Sequence, residues 1–517
     1  QQVKADLLSI TPHSYFWVQK NIPIEKDDVI EVSRIFENKV YPTDRAFFGS
    51  EPNPGIDGDE HISILYTQGM GQAAGLFSSS DSVTKDVDAY SNQAEMFYIS
   101  ADYVDLSRHD YVAGIMAHEF QHLIHYYHDR NEVSWINEGF SELAIALNGY
   151  GSSDFDYFFA YNPNTQLTFW PGNEQGDSSP NYGAAFMFMK YFLDRFGEKA
   201  TKRLVAEPAN DYQSVDLVLK QLNINDPMTQ YALNGDDLFR DWSITNLIHN
   251  EPANREERYK YQKYDPPHFH TEKLNETISN WANNEVSQFG TQYFEISCQQ
   301  DCLLELQGTP TVRILPENPH SGKYMIWSNK GDESEMTFSR EFDFRDISAP
   351  ITLQYWTWYD IETDYDYLYL TASEDGEHWK IINTPRCTIS NPTGANFSCG
   401  YSGKSKGWVL ENVDLSDFAG KKVILRFDYI TDLAVNGEGF ALDDIAIPAI
   451  GYSSDFESDL GGWQANGFVR IQNELPQEYL ITHVQIGEDI KITPLFFDCS
   501  GKINVNIPAA RDGNKNF

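Results

Sequence analysis

The sequence predicts an α+β first half followed by all-β modules, and three observations carry this prediction. Apolar residues recur at helical spacing in "DYVAGIMAHEFQHLIHYYHD" (110–129). Before this segment, "HISILYT" (61–67) and "AEMFYIS" (94–100) alternate apolar and polar residues, as half-buried strands do. After residue 265, aromatic-rich alternating runs such as "ITLQYWTWYD" and "KKVILRFDYIT" are separated by Gly, Asn, Asp and Pro, which is typical of β-sandwiches.

The first half divides into predicted elements in chain order. A short helical pattern, "DDVIEVSRIFENKVYP", and a loop rich in Gly, Pro and Asp, "GSEPNPGIDGDEH", precede the strands. Two helical patterns, "SWINEGFSELAIALNG" and "NYGAAFMFMKYFLDRFG", follow the helix at 110–129, with Gly149 and Gly197 expected as their C-caps. More helices are expected to about residue 250, and the change of texture after "YDPPHFH" predicts a domain boundary near 265–280.

The composition limits the possible classes of function. The chain has 517 residues, of which 41% are hydrophobic, enough for two to four domains at roughly 100–200 residues each. Its 77 acidic and 38 basic residues give a formal charge of −39, which repels phosphate backbones, so we expect no nucleic-acid partner. No uninterrupted apolar stretch reaches about 18 residues, so we expect no membrane span.

The start of the sequence and its cysteines indicate a secreted protein. The sequence begins Gln1-Gln2, without an initiator Met, a basic segment or an apolar segment, as expected of a mature product. All five cysteines lie in the second half, whereas a cytosolic enzyme is expected to have scattered cysteines or none. The two short spacings allow disulfides between Cys298 and Cys302 and between Cys387 and Cys399, leaving Cys499 odd, although geometry decides which pairs form.

The helix at 110–129 carries an H-E-x-x-H pattern. His118 and His122 are four positions apart, so they lie on one helix face and can bind one zinc ion at about 2.0–2.1 Å. Glu119 lies between them, where it can act as general base on a zinc-activated water. A chance match in an exposed helix is disfavoured, because the histidines border an apolar face that contains Phe120 and Leu123.

A catalytic zinc usually takes a third protein ligand, and the sequence offers several candidates. In an unbroken helix His125 lies about 10.5 Å along the axis from His118, so we expect it to be structural or to support a ligand. His128 matches the last histidine of the metzincin pattern H-E-x-x-H-x-x-G-x-x-H-D, but His125 stands where that pattern needs glycine. Glu138 opens a second helix that could return it toward His122 after the turn "HDRNEV". We predict Glu138 as the third ligand and keep His128 as the alternative.

The second helix adds a supporting residue and a family resemblance. Glu142, one turn after Glu138, is predicted to accept the N–H of a zinc-bound histidine, although a solvated position would look the same. "HEFQHLIHYYHD", "WINEGFSELA" and "YGAAFMFMKYFLDRFG" together resemble the gluzincin group of zinc metallopeptidases, and most of all the secreted hyicolysin-type peptidases of bacteria, over roughly residues 55–250. The resemblance implies a zincin-type catalytic domain over 1–270.

The gluzincin resemblance also singles out Tyr182 as a catalytic candidate. Peptide hydrolysis needs a donor for the oxyanion that forms at the carbonyl. Some gluzincins use a tyrosine downstream of the glutamate ligand for this purpose, and Tyr182 opens the next predicted helix. An ordinary tyrosine packed at a helix start would give the same pattern.

The second half resembles a different family. From about 318 to 450 the sequence is similar to the C-terminal domain of immune inhibitor A peptidases, a jelly-roll relative of MAM domains. The match rests on "HSGKYMIWSNKGDESE", "LQYWTWYDIETDYDYLYLTASEDGEHW" and "GEGFALDDIAIP" in that order. It implies a MAM-like domain over 317–463. Strands in the flanking segments 283–316 and 464–517 are predicted to pair into one small β module.

An acidic run in the MAM-like region predicts a calcium site. In "YDIETDYDY" four carboxylates occupy alternate positions, so on an extended strand they share one face and repel one another unless a cation intervenes. Hard oxygen ligands suit Ca²⁺, although a solvated acidic strand is the alternative. With donors that the resemblance adds, we expect calcium ligands among Asp332, Asp360, Glu362, Asp366 and Asp444.

These patterns predict a secreted bacterial zinc endopeptidase that acts on protein or peptide substrates, with β modules that bind a surface or glycan ligand. A metzincin-like peptidase with His128 as third ligand is one alternative. A non-catalytic adhesin or carbohydrate-binding protein with a structural zinc site is another. The last is disfavoured, because structural zinc sites usually have four protein ligands, often cysteines, and no cysteine precedes Cys298.

Overall fold

The computed structural model describes residues 2–86, 90–130, 132–151, 154–171, 176–275, 281–332, 334–432, 435–498, 501–509 and 515–517. The chain forms two compact units: Gln1–Glu305 with Leu480–Phe496 and Ile503–Phe517, and Leu306–Tyr479 with Phe497–Lys502. Among the described residues, every α-helix lies in the first unit, and the second is built from strands. None of these helices is long and apolar enough to cross a membrane. A helical first half and a β-rich second half are thus confirmed.

A five-stranded sheet lies in the first unit. Its strands are β1 (Ala5–Ile10), β2 (Ser14–Gln19), β3 (Ile62–Thr67), β4 (Gly75–Phe77) and β5 (Met96–Ser100). They lie in the order β1-β2-β3-β5-β4, with β2, β3 and β5 parallel and both edge strands antiparallel to their neighbours. The alternating runs at 61–67 and 94–100 are therefore confirmed as strands, and Ile64, Phe97 and Ile99 are fully buried.

The helices of the first unit follow the predicted order. They are α1 (Lys26–Ile35), α2 (Tyr41–Phe48), α3 (His109–His128), α4 (Ser134–Leu147), α5 (Phe155–Tyr161), α6 (Ser179–Phe196), α7 (Glu198–Val205), α8 (Tyr212–Leu222) and α9 (Gly235–Ile248). A π-helical segment, Phe36–Val40, joins α1 to α2. Shorter 3-10 helices are Ser79–Ser82, Glu257–Tyr259, Ser416–Phe418 and Pro448–Ile450. As expected, α6 ends just before Gly197, whose φ of 79° suits glycine.

Helix α3 lies at the centre of the first hydrophobic core. Its apolar face, including Val112, Met116, Phe120 and Leu123, is fully buried, and it contacts α4, β4 and β5. Because these side chains recur at helical spacing, they fix which face of α3 turns away from the core. The histidines of the H-E-x-x-H pattern lie on that other, half-buried face.

Helix α6 packs closely on α4 and α5 at two glycines. A Cβ added to Gly139 of α4 would lie 2.9 Å from Cγ of Met189, and one added to Gly183 of α6 would lie 2.2 Å from the carbonyl oxygen of Phe155. These distances leave no room for a side chain. The two glycines therefore set how closely α4, α5 and α6 approach one another.

Beyond residue 270 the chain forms short strands. They are β6 (Glu272–Asn275), β7 (Phe294–Ser297), β8 (Cys302–Gln307), β9 (Thr311–Val312), β10 (Met325–Trp327), β11 (Glu335–Asp343), β12 (Thr352–Ile361), β13 (Tyr367–Ser373), β14 (Lys380–Ile381), β15 (Gly403–Lys404), β16 (Val409–Asp414), β17 (Lys422–Ile430), β18 (Gly439–Ile447), β19 (Tyr452–Ser454), β20 (Gln464–Asn466), β21 (Val469–Ile471), β22 (Leu475–Pro476), β23 (Ile481–Ile486), β24 (Ile490–Leu495), β25 (Lys502–Ile507) and β26 (Lys515–Asn516).

Two of the resulting sheets form the core of the second unit. One has the order β15-β12-β18-β10-β21, with β16 on β12 and β19 on β18, and the other has the order β14-β13-β17-β11-β20. Phe338, Leu353, Phe427 and Phe440 belong to the fully buried cluster that these strands share. In the first unit, a further sheet has the order β24-β23-β26-β7-β6. Two of its strands, β6 and β7, precede the sandwich strands in sequence, and the other three follow them. The remaining parts of the two flanking segments, 306–316 and 464–479, lie in the second unit.

Two disulfides close short loops. Cys298 is bonded to Cys302, and Cys387 is bonded to Cys399. Both pairs are those that the short spacings allowed. Cys499 lies outside the described residues.

Candidate active site and metal centre

Helices α3 and α4 bring three nitrogen and oxygen donors to one point. Nε2 of His118 lies 3.1 Å from Nε2 of His122, and Oε2 of Glu138 lies 3.2 and 3.5 Å from these two atoms. Four-coordinate zinc with bonds of about 2.0–2.1 Å requires ligand atoms roughly 3.3 Å apart. The three atoms therefore fit a tetrahedral zinc site that keeps one position open.

The electrostatics of this group also fit a cation. Oε2 of Glu138 is buried and faces the two histidine nitrogens, and a cation between these atoms would stabilise the buried carboxylate. Burial alone would raise the pKa of Glu138, but the charges of His122 and His118 hold it below its usual range. Burial lowers the pKa of His118, yet the carboxylates of Glu138 and Glu142 outweigh this and raise it.

Residues of α4 orient both histidine rings. Nδ1 of His118 lies 3.3 Å from Oε1 of Glu142, which is the contact that the sequence predicted for Glu142. Nδ1 of His122 lies 3.0 Å from Oδ1 of Asn137 and 3.1 Å from Oγ of Ser141. Such contacts fix the tautomer that leaves Nε2 free to bind a metal. Sequence reasoning missed Asn137 and Ser141, although both lie within one turn of Glu138.

The other two histidines of α3 lie outside the donor group. Nδ1 of His125 lies 3.2 Å from Oδ1 of Asn137, and burial lowers the pKa of His125 to about 4, so this ring is neutral. α3 continues without a break to His128, which is about 15 Å along the axis from His118. The ring of His128 instead lies beside Gly49. The chain does not turn at His125, where the metzincin pattern has its glycine. Because α3 continues as one helix, His128 lies away from the donor group.

Glu119 lies between the donor group and the edge strand β4. Its side chain is 6% exposed, and burial raises the pKa of Glu119 although His118 and His122 oppose this. The backbone N–H of Phe77 donates to its carboxylate. A Cβ on Gly75 would lie 2.4 Å from Oε1 of Glu119, so glycine leaves the space that this carboxylate occupies.

Tyr182 lies in the first turn of α6, beside the donor group. Its ring centroid is 6.4 Å from that of His118. Phe155 stacks on the ring at 4.9 Å, and Trp170 contacts it edge-on at 4.7 Å. Burial, together with the charges of Glu138, Glu142 and Glu119, raises the pKa of Tyr182 well above its ordinary value. The phenol is therefore protonated at neutral pH and able to donate a hydrogen bond.

A second group of candidate ligands lies in the second unit. Oxygen atoms of Glu362, Asp366 and Asp432 lie within 4.8 Å of one another, and Oε2 of Glu362 is buried with no hydrogen-bond partner in the described part of the chain. Burial and the charges of Asp432 and Asp366 raise the pKa of Glu362 to about 9. Burial, with the charges of Asp432 and Asp332 added, raises the pKa of Asp366 to about 8. Such mutual repulsion is what a bound cation relieves.

Two of the predicted calcium ligands lie outside this group. Oδ2 of Asp360 lies 3.0 Å from Nζ of Lys404, and Oδ2 of Asp444 lies 2.6 Å from Nδ1 of His320. The prediction assumed one extended strand, but β12 ends at Ile361, and Asp364 has a φ of 71°. The alternation therefore breaks after Asp360, and the carboxylates do not share one face.

Of the remaining predicted ligands, Asp332 borders the group and Asp432 was missed. Oδ1 of Asp332 accepts a hydrogen bond from Nδ2 of Asn436 at 2.7 Å, and its charge acts on Glu362 and Asp366. Asp432 follows β17, far in sequence from the acidic run. Its backbone N–H donates to Oδ1 of Asp366 at 2.9 Å. Only the pairing of β13 with β17 brings the two segments together.

Comparison with known families identifies the second half. Residues 296–473 match the family described as "Immune inhibitor A-like, MAM domain", so this part of the chain contains such a domain, as its resemblance predicted. The matched segment lies outside the donor group of α3 and α4. The comparison therefore leaves the hyicolysin-type resemblance of the first half as a prediction.

Two of three similar proteins are named as peptidases. The pre-pro-metalloprotease PrtV of Vibrio cholerae serotype O1 is 32% identical over 142 residues, which are 28% of this chain and 15% of PrtV. Immune inhibitor A of Bacillus thuringiensis subsp. alesti is 32% identical over 153 residues, 29% of this chain and 21% of that protein. Bacillopeptidase F of Bacillus subtilis is 27% identical over 101 residues, 19% of this chain and 6% of the relative. The chain thus spans only a small part of these relatives.

Proposed function

We propose that this protein is a secreted, zinc-dependent endopeptidase with a zincin-type catalytic domain. The observation that carries the proposal is the set of three donor atoms 3.1–3.5 Å apart on His118, His122 and Glu138. Two nitrogens and one carboxylate oxygen, with a fourth position open, are the donor set of catalytic rather than structural zinc. The name of PrtV, a pre-pro-metalloprotease, agrees with this choice. When bound, zinc would supply a Lewis acid that polarises the peptide carbonyl and acidifies water.

Glu119 and Tyr182 would carry the proton chemistry. Glu119 would take a proton from the water oxygen as that oxygen attacks the carbonyl carbon. It would then give the proton to the amine nitrogen as the C–N bond breaks. Its raised pKa brings it nearer to the range in which a carboxyl group can do both. Tyr182, protonated and beside His118, would donate a hydrogen bond to the oxyanion.

The edge strand β4 offers a place for the substrate backbone. β4 pairs with β5 on one side only among the described residues, and Gly75 and Phe77 lie directly against Glu119. An extended peptide could add to this edge through main-chain hydrogen bonds. Its scissile carbonyl would then pass close to the general base. This arrangement favours cleavage within a chain over removal of terminal residues.

The geometry also disfavours the two alternative functions. The metzincin-like alternative requires His128 at the metal, but the unbroken helix places it far from His118. The non-catalytic alternative requires a closed site. The donor group, however, holds three candidate ligands among the described residues, and a buried carboxylate suited to be the base lies beside it. Both observations support the proposed peptidase.

We further propose that the second unit binds Ca²⁺ through Glu362, Asp366 and Asp432, with Asp332 as an additional donor. Three carboxylates that raise one another's pKa fit a hard cation with oxygen ligands. Calcium is abundant outside cells, and the two disulfides likewise belong to oxidising compartments. Both features support secretion. A surface or glycan ligand for the β-rich half stays a prediction.

The test is metal analysis combined with hydrolysis of an unstructured protein such as casein. The parent is expected to bind one equivalent of zinc and to cleave, and Glu119→Ala to bind zinc without cleaving. Glu138→Ala is expected to lose zinc, whereas the matched variant His128→Ala keeps it. Loss of zinc from His128→Ala alone would establish the metzincin-like alternative. Zinc in the parent without cleavage would favour the binding protein.

A further inference from the structure

The loop closed by Cys387 and Cys399 in the second unit exposes large apolar side chains. Ile389 is 80% exposed and Phe397 is 69% exposed. Although the chain carries a net charge of −39, residues 387–403 contain no charged residue. Two large apolar side chains exposed on one uncharged loop are a candidate binding surface.

Hydrogen bonds hold this loop in one conformation. The side-chain amide of Asn396 donates to two backbone carbonyl groups across the loop, at 3.0 and 2.9 Å. The hydroxyl of Tyr369 donates to Oδ1 of Asn396 at 3.1 Å and accepts from the backbone N–H of Phe397 at 3.0 Å. With the disulfide, these bonds prevent the loop from folding its apolar side chains inward. The exposure of Phe397 is therefore built into the loop.

A neighbouring turn adds an exposed aromatic ring. Oγ1 of Thr393 donates to the carbonyl oxygen of Asp364 at 2.5 Å, which joins the loop to the turn after β12. Tyr365 in that turn is 47% exposed. We call Tyr365, Ile389 and Phe397 the apolar tip.

We propose that the apolar tip inserts into the headgroup region of a zwitterionic phospholipid bilayer. A stable protein partner needs about 800 Å² from each side, far more than three side chains provide. A bilayer surface needs only a few apolar and aromatic side chains at the boundary between headgroups and acyl chains. Ile389 and Phe397 would enter without desolvating any charge of their own loop. The net charge of −39 favours zwitterionic over anionic lipid.

The test is co-sedimentation of the full chain with phosphatidylcholine vesicles. The parent is expected to bind, and the double variant Ile389→Ser/Phe397→Ser to lose at least about tenfold in vesicle partitioning. The matched control Ile30→Ser/Tyr231→Ser removes side chains that are 56% and 78% exposed elsewhere, and it is expected to bind like the parent. Because all four side chains are exposed, thermal unfolding should be the same for every variant.

Several outcomes would overturn the proposal. A parent that stays in the supernatant at all lipid concentrations would do so, as would equal loss of binding in the tip and control variants. Binding only to phosphatidylserine vesicles, abolished by salt, would point to charge rather than apolar insertion. If the tip variant altered self-association and left vesicle binding unchanged, the tip would be a protein-binding surface. None of these readouts depends on peptidase activity.

Discussion

At the residue scale, Asn137 connects a proposed zinc ligand with a structural histidine. Its Oδ1 lies 3.0 Å from Nδ1 of His122 and 3.2 Å from Nδ1 of His125. One amide oxygen thus accepts from two rings on successive turns of α3. His125 is neutral and buried, so it can act as a fixed partner that keeps the amide of Asn137 oriented toward His122.

Replacing Asn137 by Ala should weaken zinc binding by about 10–100-fold, because His122 would lose the contact that orients its ring. Competition with a chelator of known affinity measures this change. Asn137→Asp keeps an acceptor oxygen and should bind zinc almost as the parent does. Parental affinity in Asn137→Ala would mean that Ser141 alone orients the ring.

Replacing Tyr182 by Phe should lower kcat by about 10²–10³-fold, because the oxyanion would lose one donor. Zinc content and unfolding temperature should not change, since the ring still packs between Phe155 and Trp170. Steady-state kinetics on a peptide substrate provide the measurement. An unchanged kcat would show that Tyr182 serves packing only.

The candidate site was predictable at the residue scale wherever local geometry alone decides. Helical periodicity fixes that His118 and His122 share a face, so their spacing was sufficient. The contacts of Asn137 and Ser141 depend on how α4 is rotated against α3, which periodicity does not determine. Asp432 depends on strand pairing across the sandwich, and no local pattern marks it.

At the scale of elements, close helix packing positions two candidate site residues. Gly139 and Gly183 follow Glu138 and Tyr182 directly in sequence, and both lie where α6 meets a neighbouring helix. A larger residue at either position would push the helices apart and displace the adjacent side chain. The positions of Glu138 and Tyr182 therefore depend on Gly139 and Gly183, which have no reactive side chain.

Gly183→Ala should destabilise the first unit by about 1–3 kcal/mol, because the new methyl group would overlap the backbone of Phe155. Gly114→Ala is the matched control, since its nearest contact would be an ordinary 3.4 Å to Cγ2 of Ile145. The control should be neutral or stabilising by about 0.5–1 kcal/mol. Thermal unfolding of both variants tests this, and equal effects would contradict the packing argument.

The elements with strong periodicity were predictable, and those defined by tertiary context were not. α3, α4 and α6 followed from apolar spacing, with glycines beyond the ends of α4 and α6. The acidic run at 360–366 alternates like a strand but turns after Ile361, because Asp364 adopts a positive φ. When every second residue is acidic, alternation alone cannot distinguish the end of a strand from its continuation.

At the scale of the whole molecule, stability should depend on pH through the carboxylates of the second unit. Without a cation, Glu362 and Asp366 have pKa values of about 9 and about 8 in the folded chain, against about 4 in the unfolded chain. Between these values the folded state binds more protons than the unfolded state. The free energy of unfolding therefore falls as pH rises through this window.

In calcium-free buffer, the temperature at the midpoint of unfolding should decrease as the pH is raised from about 5 to about 8. Calcium should restore it at the higher pH, because the cation binds the charged carboxylates. Calorimetry of the full chain provides the measurement. Glu362→Gln/Asp366→Asn should abolish the response to calcium and make the fall with pH smaller, because Glu132 and Asp443 also have raised pKa values. The control Asp360→Asn, outside the group, should keep both effects. A midpoint at pH 8 that does not respond to calcium would argue against the site.

The order of the proposed zinc donors along the chain has a consequence for assembly. His118 and Glu138 are only 20 positions apart, and the entropy lost on closing a loop grows with the logarithm of its length. A metal ion bound by residues of both helices could therefore hold α3 against α4 early in folding, before more distant segments have packed. Tyr182 joins only when α6 packs. If the chain binds zinc as proposed, retained zinc would be a poor measure of native structure, and a damaged chain could keep its metal after losing the proposed activity.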